Sequence, residues 1–410
     1  LPYLSLQNIM MNKLKNLLEK TCFCYLQRTV KSCPKNSYAN LHFIHMKTAL
    51  YDLHKELGAT FTNFMGYEMP LKYSSVKEEH LNVRHKVGIF DVSHMGNIFV
   101  RGKDAEKFIS KITVENAKKI KEGMGQYTVL LDEKGNIIDD EVFLHLKDEY
   151  LFIPNSGMHE KVAEWMRKNA EGDIEIEDVT DEYSILAIQG PLSKETMEEV
   201  ITFDFDNLPL FGCAELKKEN FKVDFDGRCI LSRTGYTGER GYELYIYPAE
   251  EAVGLFEAFL EKGKKYGIMP IGLGARDTLR LEKGFLLACN EFKNGRNPIE
   301  ANLEWLIDWE HDFIGKEALL EFKKKDEYEK LTFLECISQG MPRHDDEVYE
   351  NENRVGIVSS GNFSPCLGKG IALAYVNIKH RKIGKELIIR GRRDIKAKVI
   401  KGPFVKKGEC

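Results

Sequence analysis

The sequence predicts an α+β protein that ends in a separate all-β barrel or sandwich. Three observations carry this. Strand-like and short helical signals mix from Val100 to about Ile271. A clear helical stripe follows at Gly274 to Glu282. The last fifth then changes character to short strands broken by turns.

Taken in order, Leu50, Leu53, His54 and Leu57 recur at helical spacing, with Gly58 as a plausible C-cap. Asp132 to Gly135 suits a hairpin connection, with Gly135 free to take positive φ. The strand after it alternates. Ile138, Asp140, Val142, Leu144 and Leu146 fall on one face, and Ile137, Asp139, Glu141, Phe143 and His145 on the other. Ala275, Thr278, Leu279 and Glu282 form one stripe of the Gly274 to Glu282 helix, which Gly284 stops. A charged helical stretch runs from Lys316 to Glu329. The terminal strands are read at Leu331 to Ile337, Arg354 to Ser359, Gly370 to Val376, Lys385 to Ile389 and Ile395 to Ile400.

Composition excludes several classes. The 410 residues are 43 % hydrophobic and 30 % charged, an ordinary globular balance. A net charge of -5 gives no basic footprint for nucleic acid. No apolar run approaches the roughly 18 residues of a membrane-spanning helix, so the chain reads as soluble, with no membrane partner. Nine cysteines are dispersed, without C-x-x-C, and fit free thiols better than a disulfide framework. Residues 1–45 carry six Lys or Arg and the single acid Glu19. They are expected to be an extension outside the fold. A cytoplasmic location is expected, or the mitochondrial matrix if this basic stretch is a transit peptide.

Three stretches could carry chemistry. Asp140 is a carboxylate on the more apolar face of its strand, where burial raises its pKa unless a partner intervenes. Ser232 to Ile246 packs Gly235, Gly238 and Gly241 into a turn between strands, and beyond it Glu243 shares a face with Tyr245 and Tyr247. A carboxylate among aromatic rings suits a flat ligand with adjacent N–H donors, although a solvated strand face explains the pattern slightly better. Arg276 stands in the first turn of its helix, where an acid is more usual. It wants an anionic or carbonyl partner, or else pairs with a neighbour such as Asp277. His94 reads as structural.

Together these motifs resemble the glycine cleavage T-protein family. Phe90-Asp91-Val92-Ser93-His94-Met95-Gly96, Ile137-Ile138-Asp139-Asp140, Ile188-Gln189-Gly190-Pro191, Gly235-Tyr236-Thr237-Gly238-Glu239 and Gly272 to Glu282 match in order. Met341-Pro342-Arg343, Gly356 to Gly361 and Ser364-Pro365 continue the match. The resemblance implies a three-domain cloverleaf around a central folate channel, with antiparallel sheets, flanking helices and a C-terminal barrel. It implies two intertwined α+β subdomains over 46–325 and the barrel over 326–410. It also implies transfer of a methylene from the aminomethylated lipoyl arm of H-protein to tetrahydrofolate, giving 5,10-methylenetetrahydrofolate and ammonia without a metal.

Residue by residue, Asp140 matches the family's key carboxylate, Glu243 the glutamate that grips the pterin, and Arg276 an arginine of the substrate site. Tyr236, Tyr127, Met95, Val142 and Arg343 match further positions of the folate site. The chain departs from the pattern at Tyr67, Leu144, Asn155-Ser156-Gly157, Leu287 to Asn290 and Lys293-Asn294. The last two departures keep open a tetrahydrofolate-dependent demethylase of a small methyl donor. A non-catalytic folate-binding protein is the other alternative.

Overall fold

A computed structural model describes residues 46–410. The basic N-terminal extension lies outside the described residues.

Two antiparallel layers and a barrel organise the chain. One sheet has six strands, in the order Cys213–Leu216, Arg228–Ser232, Gly241–Tyr247, Ser184–Gln189, Val87–Asp91 and Ile268–Pro270. Only its last pair is parallel. The other sheet has five, in the order Met124–Leu131, Ile137–His145, Glu149–Ile153, Ile98–Arg101 and Glu175–Asp178. The chain enters the six-stranded sheet, leaves to build the five-stranded one, and returns. Six further strands close into a barrel: Glu329–Cys336, Lys369–Asn377, Asn353–Ser364, Glu347–Glu350, Glu386–Arg390 and Asp394–Ile400.

Apolar side chains explain how these parts meet. Helices Ser193–Val200 and Glu251–Lys262 cover one face of the six-stranded sheet, with Met197, Val200, Leu255, Phe256 and Phe259 on Leu186, Ile188, Leu244 and Ile246. The opposite face meets the five-stranded sheet. Ile185, Ala187, Ile230 and Tyr245 share one core with Phe99, Leu144 and Leu151. Ala275 and Leu279 of helix Leu273–Lys283 enter the same core. Leu281, from the other side of that helix, joins barrel residues Leu331, Ile371 and Leu373. The helix therefore sits where both sheets and the barrel converge. Burying one such leucine contributes about 1.5–3 kcal/mol.

This central helix starts without a side-chain cap of its own. Glu79 supplies the missing acceptor: its Oε2 takes the Gly272 amide at 2.8 Å, and its Oε1 takes those of Tyr73 and Ser74. Gly272 is required here because a Cβ would lie 2.3 Å from the Leu71 carbonyl oxygen. Gly284 ends the helix at φ +74°, as the sequence predicts.

Several expectations need correction. The charged helix from Lys316 ends at Phe322, and Glu329 already begins a barrel strand. Strand Glu347–Glu350 was not foreseen. Asp140 does not lie on the one apolar face of its strand: Asp139 and Glu141 opposite are more deeply buried, because helices Ala105–Ile112 and His159–Asn169 cover that side. Not all thiols are free either. Cys366 and Cys410 form a disulfide across 44 residues, while Cys213, Cys229 and Cys336 are free. Burial of Phe404 and Val405 against the central helix brings the C-terminal segment to Cys366. Among the described residues, no helix is long and apolar enough to cross a membrane.

Candidate active site

Asp140 projects from the middle of Ile137–His145, directly after the hairpin at Gly135, whose φ is +78°. Asp132 builds that hairpin by accepting the amides of Lys134 and Asn136. The Tyr127 hydroxyl donates to Asp140 Oδ2 at 2.6 Å, and Asn155 Nδ2 donates to Oδ1 at 2.8 Å. Tyr127 comes from the neighbouring strand, two residues before the partner of Asp140 in the ladder. Burial pushes the Asp140 carboxyl up to about 6, against the lowering effect of these two donors. Asp139 is pushed further, to about 8, by burial and then by the Asp140 charge, although the Asn155 backbone and side-chain amides both serve it. Asn155 thus binds the two aspartates together. Its motif position stood out in the sequence only as a departure, with no signal for this role.

Glu243 stands on Gly241–Tyr247, between two strands of the six-stranded sheet. Thr234 Oγ1 donates to its Oε2, and Tyr245 Oη does so at 3.3 Å. Among the described residues no donor reaches Oε1. Arg276 opens the central helix. Its guanidinium lies 4.6 Å from the centre of the Tyr236 ring. No carboxylate or carbonyl of the described residues bonds it. Asp277, the partner the sequence suggested, is taken by Arg280 at 2.7 Å. Burial lowers the Arg276 pKa, with Tyr236 and Glu243 acting the other way.

Tyr236 joins the two halves. Its hydroxyl donates to the Leu286 carbonyl, and its ring stacks on Phe285. Its ionisation responds to Asp140 and to Arg276 alike, and that of Tyr127 responds to Asp140 and Tyr236. Asp140, Tyr127, Tyr236, Arg276 and Glu243 therefore form one electrostatic cluster. Met95 and Val142 pack on the core between the sheets, and Val142 pairs with Tyr127 in the ladder. Arg343 is more remote. It sits on a barrel loop, its amide on Asp346, and feels Asp277 electrostatically.

Three further residues join the site. Trp305 stacks on Tyr127 at 6.5 Å and is 71 % exposed. Glu291, fully buried, accepts the Leu287 amide and approaches Arg280 through Oε2 while Oε1 has no partner; its charge also raises the Asp140 pKa. His94 is held neutral, its pKa lowered to about 3 by burial and by Arg276.

The model for the GCVT N-terminal domain matches residues 50–311, and that for the glycine cleavage T-protein C-terminal barrel domain matches 330–406. The chain belongs to the glycine cleavage T-protein family of aminomethyltransferases. It is 40 % identical over 362 residues to an aminomethyltransferase of Halothermothrix orenii, covering 88 % of this chain and 99 % of that one. An aminomethyltransferase of Listeria monocytogenes is 39 % identical over 369 residues, covering 89 % and 99 %. Among solved structures, the glycine cleavage system aminomethyltransferase T of Bartonella henselae superposes with a TM-score of 0.81 at 30 % identity, covering 88 % of this chain and 99 % of that one. The family fold expected from the motifs is thus observed, including its terminal barrel.

Proposed function

We propose that this chain moves the methylene of an aminomethyl group, carried on a lipoyl sulfur of H-protein, to tetrahydrofolate. The products are 5,10-methylenetetrahydrofolate, ammonia and the free lipoyl thiol. The balance closes: two N–H protons leave the folate, one going to sulfur and one to ammonia, as the methylene bridges two nitrogens.

Open hydrogen-bonding valences support the folate reading. Among the described residues, Glu243 Oε1 is an acceptor without a donor, and Arg276 is a half-buried cation without an acceptor. A pterin edge supplies adjacent N–H donors and a carbonyl, which a carboxylate and a guanidinium can take in paired fashion. Met95 and Val142 would then offer apolar surface to the ring. Arg343 is proposed for the outer, anionic part of the substrate.

The observation that carries the chemistry is Asp140, a buried carboxylate with a pKa near 6 that two donors hold in one orientation. Around neutral pH it is mostly ionised yet close enough to its pKa to exchange a proton. We assign it two tasks: accepting a proton from a reacting folate nitrogen, and stabilising the iminium that develops as ammonia departs. Tyr127 and Asn155 keep it aimed.

The direct test supplies the protein with tetrahydrofolate and aminomethylated lipoyl H-protein, then identifies the folate product. Methylenetetrahydrofolate with one equivalent of ammonia is expected. If instead the chain gave only methyltetrahydrofolate from a methyl donor, the donor assignment would be wrong.

A further inference from the structure

Away from the folate site, three side chains that the reaction does not use meet beside the central helix. The His80 Nε2 and the sulfurs of Cys366 and Cys410 all lie within 4.8 Å of one another. His80 is fully buried on helix Val76–His85, Cys366 lies in the turn between two barrel strands, and Cys410 is exposed on the terminal segment. Here the two sulfurs are bonded to each other.

His80 Nδ1 lies 2.8 Å from Thr278 Oγ1, whose hydroxyl is also 3.0 Å from the Ala275 carbonyl. His80 Nε2 lies 3.0 Å from the Glu282 carboxylate and 3.4 Å from Cys366 Sγ. With its proton on Nε2 the neutral ring donates to Glu282; with its proton on Nδ1 it donates to Thr278 and leaves the Nε2 lone pair beside the sulfur. Metal-binding imidazoles adopt the second form, with Nδ1–H anchored on an oxygen.

We infer that, once the disulfide is reduced, Cys366, Cys410 and His80 bind a thiophilic divalent cation of the zinc class. The 3.4 Å from Nε2 to Cys366 Sγ already approaches the roughly 3.6 Å edge of a tetrahedral N–Zn–S site. Only the sulfurs must part, and Cys410 follows an exposed turn, Lys406 to Glu409, that can let it move. Three protein ligands leave a fourth position for water on the exposed side. The electron balance is simple. A dithiol delivers two electrons and two protons to the disulfide and becomes a disulfide itself. Zinc then displaces the two thiol protons. The terminal segment would thus be clasped to the central helix in either state, by sulfur or by metal. This site is structural and separate from the transfer reaction.

Native mass spectrometry of the full chain, reduced with a phosphine and titrated with zinc, tests this. The expected result is one zinc per chain for the reduced protein and none at this site for the oxidised protein. The double variant C366S/C410S should lose that zinc. H80Q should weaken it by more than the about 10–100-fold that loss of an outer-shell partner costs. If the reduced protein holds no more zinc than the double variant, the inference fails, and His80 serves only as the hydrogen-bond partner of Glu282. Unchanged affinity in H80Q overturns it as well. Should H80Q not fold, C410S alone, altered only at an exposed position, must still lose the zinc.

Discussion

Helix Leu273–Lys283 carries two arginines one turn apart, Arg280 buried and Arg276 half-buried, and they are electrostatic opposites. Arg280 is saturated. It donates to Asp277 at 2.7 and 2.9 Å, to Ser360 Oγ at 2.9 Å, to the Phe285 carbonyl at 3.1 Å and to Glu291 at 3.4 Å. Burial alone would lower its pKa, but Asp277, Tyr236 and Glu291 outweigh burial and raise it. Among the described residues Arg276 has only the face of Tyr236, and burial lowers its pKa. The same side chain on the same helix is structural where the fold supplies its acceptors and available where it does not. A cation partly withdrawn from water without acceptors costs stability, which is tolerable where a ligand completes it.

The contrast predicts where function is lost without loss of fold. The largest effect is expected at Asp140, the charge on the far side of Tyr236. Asp140→Asn should lower turnover by about 10²–10⁴-fold, the range for a general acid–base group, while tetrahydrofolate affinity changes far less. Single-turnover assays beside equilibrium folate binding separate the two. Normal turnover would remove Asp140 from the chemistry.

Next come the arginines themselves. Arg280→Met strands Glu291 and Asp277 and should destabilise the protein by about 3–5 kcal/mol, visible in denaturant melts. Arg276→Met strands nothing in the protein. Its melt should be unchanged or slightly raised, while folate affinity falls by about 10–100-fold, the equivalent of one charge-assisted hydrogen bond of roughly 1.5–3 kcal/mol. If both variants unfold alike, the division between the two residues is broken.

A pH series sharpens the same division. Asp139 and Asp140 have folded pKa values of about 8 and about 6, above the unfolded aspartate value of roughly 3.9. The folded state therefore holds more protons than the unfolded one in this window. Their contribution to stability is complete below about pH 4 and is lost as pH rises through 6 and then 8. Asp91 and Glu282, each lowered to about 2, change only at more acid pH; Glu141 and His159, both raised, lose stability in the same direction as the aspartates, whereas His80 and His94, both lowered from 6.5, add stability only as pH rises toward 6.5. Thermal midpoints should fall between pH 6 and 8.5, and Asp139→Asn should flatten the upper half. Turnover should rise with an apparent pKa near 6 as the pair ionises, a property of the two groups together. A midpoint that rises over this range would contradict the burial argument.

Local signals read well from the sequence, and pairings between distant segments did not. The central helix was visible from its stripe and from Gly284, and the hairpin at Gly135 from its turn chemistry, because both depend on neighbours in the chain. Asp140 and Arg276 were singled out as charges in places that usually disfavour them, and Glu243 as a carboxylate beside aromatic rings. The choice of Asp277 for Arg280 was hidden, since Asp277 precedes one arginine by three positions and follows the other by one. Only helix geometry, which sets residues three apart side by side, and Asn362 from the barrel settle it. The Asn155 bridge and the Cys366–Cys410 bond likewise join segments that no local pattern connects.

The smallest effect is expected at Trp305, which the sequence did not flag. A tryptophan with 71 % of its surface exposed contributes little to the core, so its place beside Tyr127 asks for another reason. The stacked geometry, with planes 30° apart, leaves an aromatic face adjoining the hydroxyl that orients Asp140. A second flat ring entering beside Tyr127 would find that face available. Aromatic pairs contribute about 0.5–1.5 kcal/mol beyond area burial. Trp305→Ala should then raise the KM for tetrahydrofolate by about 2–10-fold, leaving the melt and the apparent pKa near 6 unchanged. A drop in kcat at saturating folate would mean that Trp305 acts instead through Tyr127 on the aim of Asp140. It would then belong with the residues that hold the carboxylate rather than with those that, like Arg276, wait for a ligand.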